Sequence, residues 1–276
     1  MRAYVNAFDV KTPRHLTEAL DMLASEPSVW RPLAGGTDVM VTFSAGKLSH
    51  HNFLNIWQLS ELRGIVVSGK EIILGALTTY SDILSHPLVC SEFPVLAAAA
   101  AETGGVATQN RGTLGGNIMN ASPAADTPPA LLVYDAEVEL TSLRGARWVP
   151  YCSFHTAYKQ TLLAQDELLT RIRLPRSAAG MRHQFRKVGT RKAQAISKVC
   201  LAALADQHGE DIRIAFGSVG PVPLRCYRTE ASIRQGQDYA ASLAAELSPI
   251  TDMRSTAEYR MRVAQNLLAG FLNHEQ

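Results

Sequence analysis

Arg111-Gly112-Thr113-Leu114-Gly115-Gly116-Asn117 places three glycines, a hydroxyl and an amide within seven residues. Glycine allows backbone to turn through φ > 0 and to approach a ligand closely, because no Cβ stands in the way. Successive N–H groups in such a turn form a concave anion site. A second stretch of the same character lies upstream, Leu33-Ala34-Gly35-Gly36-Thr37-Asp38. Either alone also reads as a plain tight turn. Two in one chain, each with a hydroxyl, suit a ligand with two adjacent phosphates.

The rest of the chain bounds what that ligand is. At 276 residues, 46% hydrophobic and 19% charged, the composition is globular and the length suits two domains or several lobes. A net charge of +2 and the lack of a dense Lys/Arg block give no sign of a nucleic-acid partner. Met1-Arg2-Ala3-Tyr4-Val5-Asn6 lacks the apolar core of a signal peptide, and no stretch reads as a membrane span. The cysteines, Cys90, Cys152, Cys200 and Cys226, are far apart, with no metal or iron–sulfur spacing, and are expected to be buried, reduced thiols of a cytoplasmic protein. If the chain does redox chemistry, its cofactor is organic. There is no G-x-G-x-x-G after the first strand, no P-loop and no nucleophile elbow.

Periodicity predicts a helix capped by Thr12 with Pro13 at its first turn and Leu16, Ala19, Leu20, Leu23 and Ala24 on one face. Strands follow at 30–34 and 53–56, with a helix or packed loop over 38–43. Hairpins are expected over 65–74 and 138–149, and a strand over 168–174 ended by Pro175. Ser91 is placed as the cap of one helix through Ala101, and Asp126 as the cap of another through Tyr134. Pro175 to Gly180 is the expected domain boundary. Beyond it, strands are expected at 199–204 and 212–216 and helices at 226–233, 239–247 and 257–272, the last with Tyr259, Val263, Leu267 and Phe271 in four-residue steps. Strands and helices do not alternate regularly, so an α+β fold is expected.

The two glycine stretches, together with Phe185-Arg186-Lys187-Val188-Gly189-Thr190-Arg191 and the late segment Asp252-Met253-Arg254-Ser255-Thr256-Ala257-Glu258-Tyr259-Arg260, resemble in order and distance the FAD-binding medium subunits of molybdenum hydroxylases, bacterial xanthine dehydrogenases above all. The resemblance covers nearly the whole chain. It implies a two-lobed FAD domain of the vanillyl-alcohol-oxidase (PCMH) type over 1–176, with lobes near 1–58 and 59–176, and a carbon monoxide dehydrogenase flavoprotein-like α+β domain over 177–276. It further implies that Leu33, Ala34, Gly35, Gly36, Thr37 and Asp38 bind the cofactor, the backbone amides of Ala34 to Thr37 and the Thr37 hydroxyl holding the FAD pyrophosphate, and that Thr113, Gly116 and Asn117 face them. Asp126 would accept from an FAD hydroxyl, Leu169 would pack on the cofactor and Lys187 would contact it. Asp38 departs from the Glu or Ser of some relatives. The partners would be a molybdenum-cofactor subunit that oxidises substrate and a [2Fe-2S] subunit that relays its electrons to FAD, which passes them to NAD+ or another acceptor. No catalytic side chain and no metal ligand is assigned.

Plainer readings stand beside these: Asp126 as a helix cap, Leu169 as core, Lys187 as a solvated side chain, Arg111 as a structural cation. At the level of function, the alternatives are a free-standing flavin reductase of the UDP-N-acetylenolpyruvoylglucosamine reductase type and a flavin-free docking subunit. The intact glycine loops argue against the second.

Overall fold

The first glycine loop leaves the end of a short strand, Arg31–Leu33, in a three-stranded parallel sheet ordered Asp9–Lys11, Asn52–Asn55, Arg31–Leu33. This is a computed structural model that describes residues 7–191 and 194–273; residues 1–6, 192–193 and 274–276 lie outside it. Parallel neighbours need crossovers, and the helices Leu16–Ser25 and Thr37–Ser44 supply them. The first sixty residues therefore do alternate strand and helix, a local exception within an otherwise mixed α+β chain. His15, not Thr12, sits at the N-cap of the first helix. Carboxylates do the capping there: Leu16 N donates to Glu61 Oε1 at 3.0 Å and Arg14 N to Glu18 Oε2 at 2.6 Å. Ala19, Leu20, Leu23, Trp30 and Leu54 pack with Leu59, Leu62, Leu77 and Leu168 as a first core.

The middle of the chain builds a five-stranded antiparallel sheet in the order Ile65–Val67, Glu71–Gly75, Leu168–Pro175, Glu137–Ser142, Gly145–Pro150. Both expected hairpins are present in it. Short helices cover the sheet. The single helix expected after Ser91 is two, Pro87–Glu92 and Pro94–Ala101. Pro94 forces the break, because it has no N–H to continue the first helix and suits the opening turn of the second.

The last third is a four-stranded antiparallel sheet, Arg182–Val188, Val199–Ala205, Ile212–Gly217 and Leu224–Arg225, backed by helices Tyr227–Arg234, Tyr239–Glu246 and Ala257–Asn273. Every residue of Val199–Ala205 is buried. Side chains alternate faces along a strand. Cys200, Ala202 and Leu204 join the core of the middle sheet, while Val199, Leu201, Ala203 and Ala205 join the core under the C-terminal helices. One strand thus seals two cores. Thr127–Val133, buried at every position, lies against this sheet as the filling of the sandwich. Two cysteines depart from expectation, since Cys90 and Cys152 are exposed.

Candidate functional site

The two glycine loops meet. A Cβ built on Gly35 would lie 1.7 Å from the carbonyl oxygen of Arg111, so backbone passes against backbone where no side chain fits. Gly36 has φ +77°, the left-handed region, and opens the Thr37–Ser44 helix. Among the described residues, no hydrogen bond occupies the N–H groups of Gly35, Gly36 and Thr37, while the carbonyls of Leu33 and Gly36 accept from Ile56 N and Met40 N. Unpaired amides at a helix start attract anions. Arg111 adds to the seam: its Nε donates to Gly35 O at 3.4 Å, and its guanidinium lies 3.8 Å from the ring centroid of Trp57.

The glycines of the second loop divide by task. Gly112 and Gly115 are packing glycines, since a Cβ at either would meet backbone oxygen, of Thr108 at 2.9 Å or Ala76 at 2.7 Å. Gly116 is exposed and meets only the hydroxyl of its own helix cap, Thr113. Thr113 Oγ1 accepts from Gly116 N at 3.0 Å and so starts the short helix Leu114–Met119. Asn117 Oδ1 accepts from Thr127 Oγ1 at 2.6 Å, which ties this loop to the residue after Asp126.

Asp126 is not a side-chain cap: it occupies the N-cap position of Thr127–Val133 but makes no capping bond. Nor is Lys187 solvated. Lys187 Nζ donates to Asp126 Oδ2 at 2.7 Å and to Glu102 O at 2.9 Å, with the two side chains 6% and 9% exposed. Burial pushes the Asp126 carboxyl up to about 6, Lys187 pulling it down and Glu102 adding a smaller upward push. Its other oxygen, Oδ1, is buried without a partner. Tyr80 stands close by; its ring underlies Gly112, and its phenol is pushed up by burial and then by the Asp126 charge.

Asp38 and the rim of the site involve residues that the sequence did not single out. Asn120 Nδ2 donates to Asp38 Oδ1 at 3.2 Å, and Lys159 Nζ donates to Asn120 O at 2.6 Å and Oδ1 at 2.8 Å. This string crosses from the parallel sheet's helix to the hairpin His155–Ala157/Gln160–Thr161. Nothing in residue spacing marks it. Tyr80, by contrast, opens a helix whose cap was legible, because Thr79 and Asp82 form a capping box. Leu169 is 2% exposed and belongs to the central core.

The donor set fits an extended ligand with a diphosphate and hydroxyl groups. Free amides and glycine cradles serve the first, and the orphaned carboxylate oxygen serves the second. Comparison with known proteins agrees. Residues 6–177 match the model of the FAD-binding domain in molybdopterin dehydrogenase, and residues 183–274 match the carbon monoxide dehydrogenase flavoprotein C-terminal domain. The chain is 32% identical over 273 residues to the glyceraldehyde dehydrogenase medium chain of Sulfolobus acidocaldarius, covering 96% of each. It is 31% identical over 271 residues to the xanthine dehydrogenase FAD-binding subunit of Escherichia coli O157:H7, covering 91% of this chain and 90% of that one. In three dimensions it resembles a chain of carbon monoxide dehydrogenase from Hydrogenophaga pseudoflava with a TM-score of 0.90 and 29% identity, over 96% of each. The chain belongs to the family of FAD-binding medium-chain subunits of molybdenum hydroxylases, the FAD-carrying components of xanthine and carbon monoxide dehydrogenase-type oxidoreductases.

Proposed function

We propose that this chain grips FAD between its two glycine loops and serves as the electron outlet of a xanthine dehydrogenase-like complex. It would receive electrons from a [2Fe-2S] subunit fed by a molybdenum subunit and deliver them to NAD+ or another acceptor. The observation that carries this reading is the contact of Gly35 with Arg111, which brings the free amides of the first glycine loop against the second loop across a seam. FAD, when bound, supplies the redox chemistry. The residues of the chain bind and orient. The amides of Ala34 to Thr37 and the hydroxyl of Thr37 would hold the pyrophosphate from one lobe; Thr113, Gly116 and Asn117 would face it from the other. Asp126 would take a hydroxyl, and Leu169 would pack on the cofactor. The seam falls inside a PCMH-type domain over 1–176, with 177–276 closing the far side. Four free thiols suit the reducing cytoplasm. Membership in the medium-chain family favours this reading over a free-standing reductase or a flavin-free docking subunit.

The test is to purify the chain with its co-expressed partners and follow the flavin spectrum. Reduction of the flavin as the partner subunit oxidises its substrate, then reoxidation on adding NAD+, is the expected course. A flavin that partner subunits never reduce would overturn the relay. Within the site, Gly116→Val is expected to strip the flavin. A Cβ there would lie 2.8 Å from Thr113 Oγ1, and a β-branched side chain would displace that helix cap and fill the exposed space where the cofactor must approach the loop. Flavin absorbance per mole of protein checks it, and full retention would contradict the loop assignment.

A further inference from the structure

The carbonyl of Gly35 accepts from Arg111 Nε at 3.4 Å, and no other donor among the described residues reaches it. The peptide that joins Gly35 to Gly36 is trans, so its C=O and its N–H point in opposite directions. The C=O faces Arg111. The N–H, that of Gly36, therefore faces away from Arg111, and it is one of the free amides of the first loop. An exposed arginine does not by itself keep one orientation, because its rotamers are many. This one has a rest. Its guanidinium lies 3.8 Å from the ring centroid of Trp57, and that of Arg63 lies 4.4 Å from the same centroid. The half-buried Trp57 is rooted at the base of the loop. It stands two residues past the strand Asn52–Asn55, its N–H donates to Asn55 Oδ1 at 3.2 Å, and Asn55 is paired in register with Leu33. Arg63 Nη2 closes the turn by donating to Trp57 O at 2.6 Å.

We infer that Arg111 is a positioning residue that acts on the diphosphate through the Gly35–Gly36 peptide, with the Trp57 ring as the surface that fixes it. This rests on the FAD reading above. The guanidinium has two effects on that peptide. It pins the carbonyl, which aims the Gly36 N–H. Its charge also polarises the peptide, which makes the N–H a stronger donor to an anion. The rival role, direct contact of the guanidinium with phosphate, needs charge alone. The positioning role needs the planar fork to hold a carbonyl and the flat face to lie on an indole. The two roles therefore respond differently to conservative substitutions.

The experiment titrates the full chain, stripped of flavin, with FAD and with ADP, which carries the diphosphate without the flavin. Arg111→Met is expected to weaken both by the same factor, roughly tenfold. Arg111→Lys keeps the charge but neither the fork nor the flat face, and is expected to lose nearly as much. Trp57→Leu is expected to reproduce most of the loss, and Trp57→Phe, which keeps a ring, to restore affinity. The double variant of Trp57→Leu with Arg111→Met is expected to bind no worse than Arg111→Met alone, because the ring then has nothing to hold. Wild-type affinity in Arg111→Lys would mean that the charge itself meets the phosphate and would overturn the inference. Additive losses in the double variant would overturn it too, as would an ADP affinity that Arg111→Met leaves unchanged.

A second readout follows the peptide itself. In flavin-free chain isotope-labelled at the glycine nitrogens, the Gly36 amide resonance is expected to move in Arg111→Met and in Trp57→Leu and to hold its place in Trp57→Phe. Gly69, with nothing within 4 Å of it, serves as the unmoved reference. A Gly36 resonance that does not respond to Arg111 contradicts the inference. A wild-type chain that binds neither FAD nor ADP would overturn the parent reading as well, whereas FAD binding that is indifferent to Arg111 and Trp57 overturns this inference alone.

Discussion

Gly35→Ala is expected to yield a chain without bound flavin. The clash is with the Cβ itself, 1.7 Å from the oxygen and 2.5 Å from the carbon of the Arg111 carbonyl, and backbone of a facing loop cannot rotate aside as a side chain can. The loops must part by about an ångström, which separates the amides of Gly35–Thr37 from Gly116 and breaks the seam that Arg111 braces on Trp57. Misplacement by about 1 Å is enough to cost on the order of a hundredfold in a preorganised site. Flavin absorbance of the purified variant, followed by its FAD affinity, measures the effect. Gly69→Ala is the control, because nothing lies within 4 Å of that position and its φ is not positive; it should retain flavin in full. Gly35→Ala with wild-type affinity would show that the loop contact does not form the cofactor seat.

Glu230→Ala is expected to have the largest effect on stability. Glu230 is 1% exposed and accepts from Ile214 N at 2.8 Å and from Arg225 Nε at 2.7 Å. Arg225, itself buried, continues to Asp135 and to the carbonyl of Leu132, while Arg213 reaches the carbonyl of Val133 at 3.2 Å and Asp135 at 2.9 Å. Two guanidiniums of the C-terminal sheet thus face the last carbonyls of the buried helix Thr127–Val133, where the helix dipole favours positive charge. Lys187 holds Asp126 at the other end of the same helix. Truncating Glu230 takes the buried one of two carboxylates from Arg225 and orphans the Ile214 N–H, a loss of roughly 3–5 kcal/mol. Thermal unfolding should show a fall in Tm on the order of 10 °C. A change of only a degree or two would mean that Asp135 and water satisfy Arg225 without Glu230.

These two positions mark what the sequence discloses and what it conceals. The glycine loops were legible because glycine patterns declare backbone geometry locally. Hairpins and the strand ended by Pro175 were legible for the same reason, their alternation and turn residues being contiguous. The strand Arg182–Val188 was missed as a strand because only Phe185 among its residues is buried, so no apolar alternation announces it. The C-terminal helix was placed correctly, but three of its four face positions were read one residue early, Phe271 alone being shared. Its buried face is Arg260, Ala264, Leu268 and Phe271, and Tyr259 is exposed. A charged residue anchors that face because Arg260 donates to Lys198 O, Ser218 O and Asp252, bonds made across the fold and invisible in a hydropathy stripe. The Lys187–Asp126 pair, 61 residues apart, is hidden for the same reason. The resemblance named both residues as cofactor contacts; the structure shows that they first contact each other.

The central claim is that one diphosphate is seated between residues 34–37 and 113–117. The most direct test is a crystal structure of the FAD-loaded chain. The account predicts pyrophosphate oxygens within about 3 Å of the Gly35–Thr37 amides on one side, with residues 113–117 against the same diphosphate on the other. Pyrophosphate bound elsewhere, with both loops touching nothing but each other, would contradict it.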